Sequence, residues 1–186
     1  MSQAIRRVVT GHDANGKAVI ASDQLVTGDT SRVRPGFGVH RVWGWDVAPT
    51  FPDDGNLPAT YDFFPPNGGA RFVVMSLSPD STEIDPPRVA ASELIAEFAK
   101  LLPGAAQYVD RVDPRFHRTP TIDLAVVLSG EVTVVLDSGD RATLSAGDTF
   151  VQNGTSHAWS NAGPESAQIA FFLAGVSHAD TPSTRP

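Results

Sequence analysis

The chain has 186 residues, 41% of them hydrophobic, and a formal net charge of −7; this is enough apolar material for one domain with a real core, and an acidic surface argues against nucleic acid or an anionic membrane as a partner. It contains no cysteine, which excludes disulfides, thiolate metal ligands and a cysteine nucleophile and suits a reducing compartment. No stretch approaches the roughly 20 apolar residues that span a bilayer, and the N-terminal MSQAIRRVVTGHD has no apolar run of signal-peptide length, so the expected location is cytoplasmic.

Along the chain, Ala4 to Thr10 and Ala18 to Ala21 flank Ala14-Asn15-Gly16. Asn-Gly between two apolar-containing runs predicts a β-hairpin, and residues 1–35 are expected to form an N-terminal β extension. Phe37 to Asp46 reads as a strand, with Phe37, Val39, Trp43 and Trp45 on one face and Arg41 among them. His40 has the opposite parity and is expected at the surface or an interface. Ala48 to Gly69 carries five prolines and little periodicity, which predicts a long loop. Arg71 to Ser78 is a strand. The one helix is predicted over Ala90 to Leu102, where Leu94, Ile95, Phe98, Leu101 and Leu102 make a stripe at helical spacing. Ser92 is a possible cap, and Pro103-Gly104 ends the helix.

From Phe116 the pattern is strand and turn: Thr121 to Leu128, Glu131 to Leu136, Arg141 to Leu144, Thr149 to Gln152, Ser156 to Trp159 and Ala167 to Leu173. Short strands at this rhythm, punctuated by glycine, predict an all-β sandwich or barrel. The polar end from Ser177 to Pro186 has nothing to bury and is expected to be disordered.

Two runs carry the functional reading. The first is His117-Arg-Thr119-Pro-Thr121-Ile-Asp123, followed by an apolar strand and Gly130. Strand alternation puts His117, Thr119, Thr121 and Asp123 on one face, opposite Ile122, Leu124, Val126 and Leu128. A polar face of that kind is explained by a barrel lumen that holds a ligand or a metal. The second is Gly147-Asp148-Thr-Phe-Val-Gln152-Asn-Gly154-Thr-Ser-His157-Ala-Trp159-Ser-Asn161, where Thr155, His157, Trp159 and Asn161 share a parity.

Together these runs resemble the two motifs of the cupin superfamily. His117 matches the first histidine of the first motif, Thr119 stands where its second histidine would be, Asp123 stands in for the glutamate, and Gly130 is at the expected spacing. In the second motif Gly147, Gly154, His157 and Asn161 match, and Gln152 replaces the proline. The wording TGHDANGKAV, HRTPTID and VQNGTSHAW is similar to a subgroup described as cupin-domain oxidoreductases. The resemblance implies a double-stranded β-helix (jelly-roll) barrel over residues 36–176, with the N-terminal β extension before it and the short helix packed outside.

For function it implies a small-molecule enzyme acting on an apolar or aromatic organic substrate, with oxidoreductase or oxygenase chemistry favoured. His117, Asp123 and His157 would be a two-histidine, one-carboxylate set for a divalent Fe, Mn, Zn or Ni ion. His157 and Asp123 are the candidate catalytic groups; Thr119, Thr121, Gln152 and Trp159 are candidate substrate contacts. Two alternatives stay open: a metal-free enzyme using His157 and Asp123 for acid–base chemistry, such as an isomerase, decarboxylase or dehydratase, and a non-catalytic ligand-binding module. Against the metal set stand the absent second histidine and the shorter reach of aspartate. Trp43 and Trp45 read as packing residues, and His12 and His178 as bystanders. No Gly-rich phosphate loop or dinucleotide fingerprint occurs, so no nucleotide cofactor is expected. A homodimer is the expected assembly.

Overall fold

The computed structural model describes residues 4–31, 35–60, 62–82 and 91–177. The strands are β1 (Ile5–His12), β2 (Ala18–Val26), β3 (Asp29–Thr30), β4 (Gly38–Trp45), β5 (Ala70–Leu77), β6 (Thr121–Ser129), β7 (Glu131–Leu136), β8 (Arg141–Ser145), β9 (Thr149–Asn153), β10 (His157–Ser160) and β11 (Ala167–Gly175), with the helix α1 (Ala91–Leu101) between β5 and β6. They form a six-stranded sheet in the order β3-β4-β5-β11-β6-β9, a three-stranded sheet β10-β7-β8, and the separate hairpin β1-β2. The all-β barrel expected from the sequence is what forms.

The hairpin closes where Asn15-Gly16 predicts it. The Asp13 carboxylate accepts hydrogen bonds from the backbone N–H of Asn15 and of Lys17, and Gly16 takes the left-handed conformation such a turn requires (φ 75°). Ile5 of β1 packs against the cluster Val42, Val74 and Ala170, so the hairpin covers part of the outer face of the large sheet. The rest is bare: the row Phe72–Phe172–Leu124–Val151 runs in register across four strands, with Leu124 and Val151 half exposed or more.

The inner face is the core. Val39, Val73, Val127, Ile169, Phe171 and Leu173 of the large sheet meet Val132 of the small one, and all are nearly inaccessible. α1 packs outside through its C-terminal end, where Leu101 and Leu102 are buried and Phe98 lies against the core. The Ser92 cap, the side chains of Leu94 and Ile95, residue 90, His178 and all of the C-terminal segment beyond Ser177 lie outside the described residues. Among the described residues no helix is long and apolar enough to cross a membrane.

One strand departs from simple alternation. Arg41 pairs with Val73 but Trp43 pairs with Phe72, so Val42 is an inserted residue. A β-bulge of this kind reverses the facing of everything after it. Trp43 and Trp45 therefore do not share a face with Val39: they turn outward, Trp43 beneath the Arg7 guanidinium at 5.6 Å and Trp45 beside Phe172. His40, expected at the surface or an interface, is fully buried. It lies under the chain at Gly28, where a Cβ would come within 2.7 Å of its ring.

The end of β11 is equally tight. Gly175 donates its N–H to Gly69 and accepts from Gly68, and a Cβ built on it would stand 1.9 Å from the Pro66 carbonyl oxygen. Gly175→Ala must push the Pro65–Gly69 turn off the barrel. We expect a loss of about 3 kcal/mol, read as a lower urea midpoint at unchanged m-value; an unchanged midpoint would contradict the packing described.

Candidate functional site

The lumen site is assembled from three places. β6 contributes Thr121 and Asp123, β9 contributes Gln152, and β10 contributes His157 and Trp159. His117 precedes β6 and is locked to His157 by a pair of backbone hydrogen bonds of 3.0 and 3.1 Å, an antiparallel bridge joining the two sheets. Residues directly opposite in such a bridge project to the same side, and the two imidazoles accordingly stand 4.2 Å apart between centroids.

The expected inward face is the buried one. Thr119, Thr121 and Asp123 are all nearly inaccessible, whereas Leu124 and Leu128 are exposed. Asp123 pairs directly with Gln152 on one side and Leu173 on the other. From the second motif His157 is buried and Trp159 partly buried, but Thr155 lies at the surface. Asn161 is buried in a turn, donating to the carbonyls of Leu77 and Glu165 and accepting from Gly163; its part is to hold the β10–β11 connection.

Burial sets the electrostatics. The His117 pKa is lowered to about 3, first by desolvation and then by the neighbouring His157, with the Arg115 backbone pulling the other way. His157 is lowered too, by burial, against a hydrogen bond to the Thr155 backbone. Both rings are therefore neutral at pH 7. His157 Nδ1 lies 3.0 Å from the Thr155 carbonyl oxygen; in the neutral ring Nδ1–H donates there, which leaves Nε2 as an acceptor. The Asp123 carboxyl is raised to about 6 by burial, with nearby Thr121 lowering it in part. Thr121 is close enough to be felt but not aligned for a hydrogen bond: its Oγ1 and Asp123 Oδ1 both lack partners.

The proposed metal set is not brought together. Among the described residues no three His, Asp or Glu side chains stand close enough to share an ion. The two imidazoles meet, but the third ligand does not join them: Asp123 has a side chain one methylene shorter than glutamate, and Thr119 supplies no imidazole. The donor set therefore does not fit a two-histidine, one-carboxylate centre in this arrangement.

Sequence reasoning missed two features. Below the polar layer, Phe150 and Phe171 stand edge-on to the expected Trp159 at 5.5 and 5.8 Å, and Trp159 to His157 at 6.0 Å; phenylalanines in apolar strands carry no mark that separates lumen from core. Arg71 is buried on the same rung as Asp123, with Leu173 between them. Its guanidinium is consumed by the Asp46 carboxylate and the carbonyls of Trp45, Ala70 and Asp62, so it does not neutralise Asp123.

Comparison with known proteins places this geometry. The family profile described as "Cupin domain" matches residues 103–173. An oryzines biosynthesis cluster protein of Aspergillus oryzae is 38% identical over 39% of this chain and 42% of its own length. A phomopsin biosynthesis cluster protein of Diaporthe leptostromiformis is 56% identical over 24% of each chain. A cupin-domain-containing oxidoreductase of Neurospora crassa is 33% identical over 42% of this chain and 37% of its own. The chain thus aligns with less than half the length of these relatives. Among solved structures, a predicted oxalate decarboxylase of Thermotoga maritima is similar over 81% of this chain and 94% of its own, with TM-score 0.43 and 13% identity.

Proposed function

Residues 103–173 of this chain are a cupin domain, and from that premise we propose that it is a cupin-type enzyme that moves a proton on a small organic substrate held in the barrel lumen. One observation carries this reading. Asp123 is a carboxyl group 4% exposed, raised to about 6, without a paired cation among the described residues, and facing a lumen whose two histidines are neutral. A buried group of that kind is costly to keep, and a carboxyl that titrates near the working pH suits a general base or acid.

In this scheme Asp123 accepts or returns the proton. His157 Nε2 accepts a hydrogen bond from a substrate hydroxyl or amide, and Trp159 with Phe150 and Phe171 offers an apolar wall. The bridge between His117 and His157 closes the lumen over them and excludes water. Isomerisation, dehydration and decarboxylation are the reactions this machinery serves. The names of the relatives favour oxidoreductase chemistry; in that second reading the same side chains orient the substrate, and an electron acceptor must come from outside the described set.

The test is a conversion assay on tag-free protein. Wild type and Asp123→Asn are incubated with a pooled small-molecule extract and compared by mass spectrometry, and bound metal is measured by elemental analysis. The reading expects an isomer, or a product lacking water or carbon dioxide, that only the wild type makes and that survives chelation. A product that has gained oxygen or lost hydrogen, with about one transition-metal ion per chain, would replace it with the oxidoreductase reading. Tight binding without conversion would replace it with a ligand-binding module.

A further inference from the structure

Gln152 occupies the rung of Asp123 on the neighbouring strand, and its amide has only one workable orientation. Its Oε1 accepts two hydrogen bonds from Thr155, from the backbone N–H at 3.3 Å and from the hydroxyl at 2.6 Å. Turning the amide over would set its NH2 group against the Thr155 N–H, donor against donor. The oxygen is therefore pinned, and Nε2 is the end that is left over. Gln152 is 1% exposed and Nε2 has no acceptor among the described residues. A buried donor without a partner is costly to keep, and here it stands beside a second unpartnered atom, Asp123 Oδ1. Directly opposed strand residues have Cβ atoms about 4.5–5.5 Å apart, a separation that one functional group of a ligand can bridge.

We propose that this pair recognises an enolisable carbonyl compound: Gln152 Nε2–H donates to the carbonyl oxygen while Asp123 takes the proton from the adjacent carbon. The assignment rests on the proton-transfer reading above and names its substrate class. The electrons balance without an oxidant or reductant. The Asp123 carboxylate binds the proton, the C–H pair becomes the carbon–carbon double bond, and the carbonyl π pair moves onto oxygen, where the Gln152 N–H meets it. Return of the proton from Asp123 to the other face of that carbon, or to the γ carbon of a β,γ-unsaturated substrate, completes an isomerisation. A donor fixed before the reaction, and buried as Gln152 is, favours developing oxyanion charge far more than a solvated one does. Leu173, Ala125 and Phe150, which flank this pair on the inner face, would receive the carbon skeleton. Thr155 is then a positioning residue: it touches no substrate and acts by aiming Gln152.

The experiment uses the full chain. Acetophenone, 2-tetralone and phenylpyruvate are followed by proton NMR for deuterium uptake from D2O, and p-nitrophenolate, a planar oxyanion mimic, is titrated against protein with the Gln152 side chain labelled with 15N. The expected result is catalysed exchange of at least one probe, a p-nitrophenolate-induced shift of the Gln152 amide signal, and about a hundredfold loss of exchange in Gln152→Leu. Thr155 is at the surface, so Thr155→Val keeps the fold if Gln152→Leu does not; it should lower kcat several-fold at nearly constant KM and broaden the amide signal as its orientation is released. Wild-type exchange in a folded Gln152→Leu, or an amide signal indifferent to p-nitrophenolate, overturns the proposal. If Asp123→Asn abolishes conversion of an extract component but no carbonyl probe exchanges, the proton-transfer reading stands and the carbonyl assignment falls. If Asp123→Asn is silent in both assays, both fall.

Discussion

Asp123→Asn should make the protein more stable at pH 8 by about 2–3 kcal/mol while removing its activity. In the folded chain the carboxyl is raised to about 6 from an ordinary value of 3.8. The folded state thus holds the proton more tightly than the unfolded one. The contribution of Asp123 to stability is fully present below pH 3.8 and is lost as pH rises through 6, because above that a charge must remain buried without a cation. Asparagine is nearly isosteric and never acquires that charge. The difference between the two proteins should therefore be smallest near pH 4 and reach its maximum above pH 7, a rise in Tm of roughly 5–10 °C for a chain of this size. Scanning calorimetry from pH 4 to 8 checks it. Parallel pH profiles for the two proteins would show that the carboxyl has a partner in solution and would remove the main support for its role as a base.

The histidines impose the opposite slope. His117 falls to about 3 in the folded state from 6.5, so the folded chain binds fewer protons than the unfolded one across that window. Its contribution is fully present above pH 6.5 and is lost as pH falls toward 3. His117→Phe keeps a ring of similar size and cannot be protonated. At pH 7.5 it should cost about 1 kcal/mol for the hydrogen bond to the Arg115 backbone. At pH 4.5 the wild type has already lost about 2–3 kcal/mol at this position, so the variant should there be the more stable of the two. Urea denaturation at both pH values gives the crossing directly, and the imidazole signals of His117 in wild-type NMR spectra should not move between pH 8 and 5. A variant that is less stable by the same amount at both values would mean that His117 protonates freely in the folded barrel. Because Asp123 and His117 pull in opposite directions between pH 4 and 6, the wild-type profile should be flatter there than that of Asp123→Asn.

Much of the barrel could be read from local pattern. Period-two alternation in Thr121 to Leu128 identifies both the buried face, with Thr121, Asp123 and Val127, and the exposed one, with Leu124 and Leu128, because a strand with one side in a core has no other way to satisfy its side chains. Asn15-Gly16 marks the hairpin, and glycines at Gly130, Gly147 and Gly154, all with positive φ, mark the turns between strands. These signals sit within a few residues of the structure they specify.

What depends on distant residues was not legible in that way. The inserted Val42 reverses the facing of Trp43 and Trp45, and nothing in GVHRVWGW distinguishes a bulge from a regular strand; the partner strand β5 decides it. His40 is buried because the segment at Gly28 crosses it. Histidine and aspartate at motif positions point to a lumen, but whether His117, His157 and Asp123 meet at one point depends on how the connection before β6 docks on β10. The sequence by itself determined the fold, the inward face and the residue types that line it, since these follow from backbone periodicity and burial. Only the tertiary structure decided that two imidazoles touch while Asp123 sits opposite Gln152 on the neighbouring strand, because the spacing between sheets is set by the packing of Val132, Phe150, Phe171 and their neighbours, which no local pattern encodes.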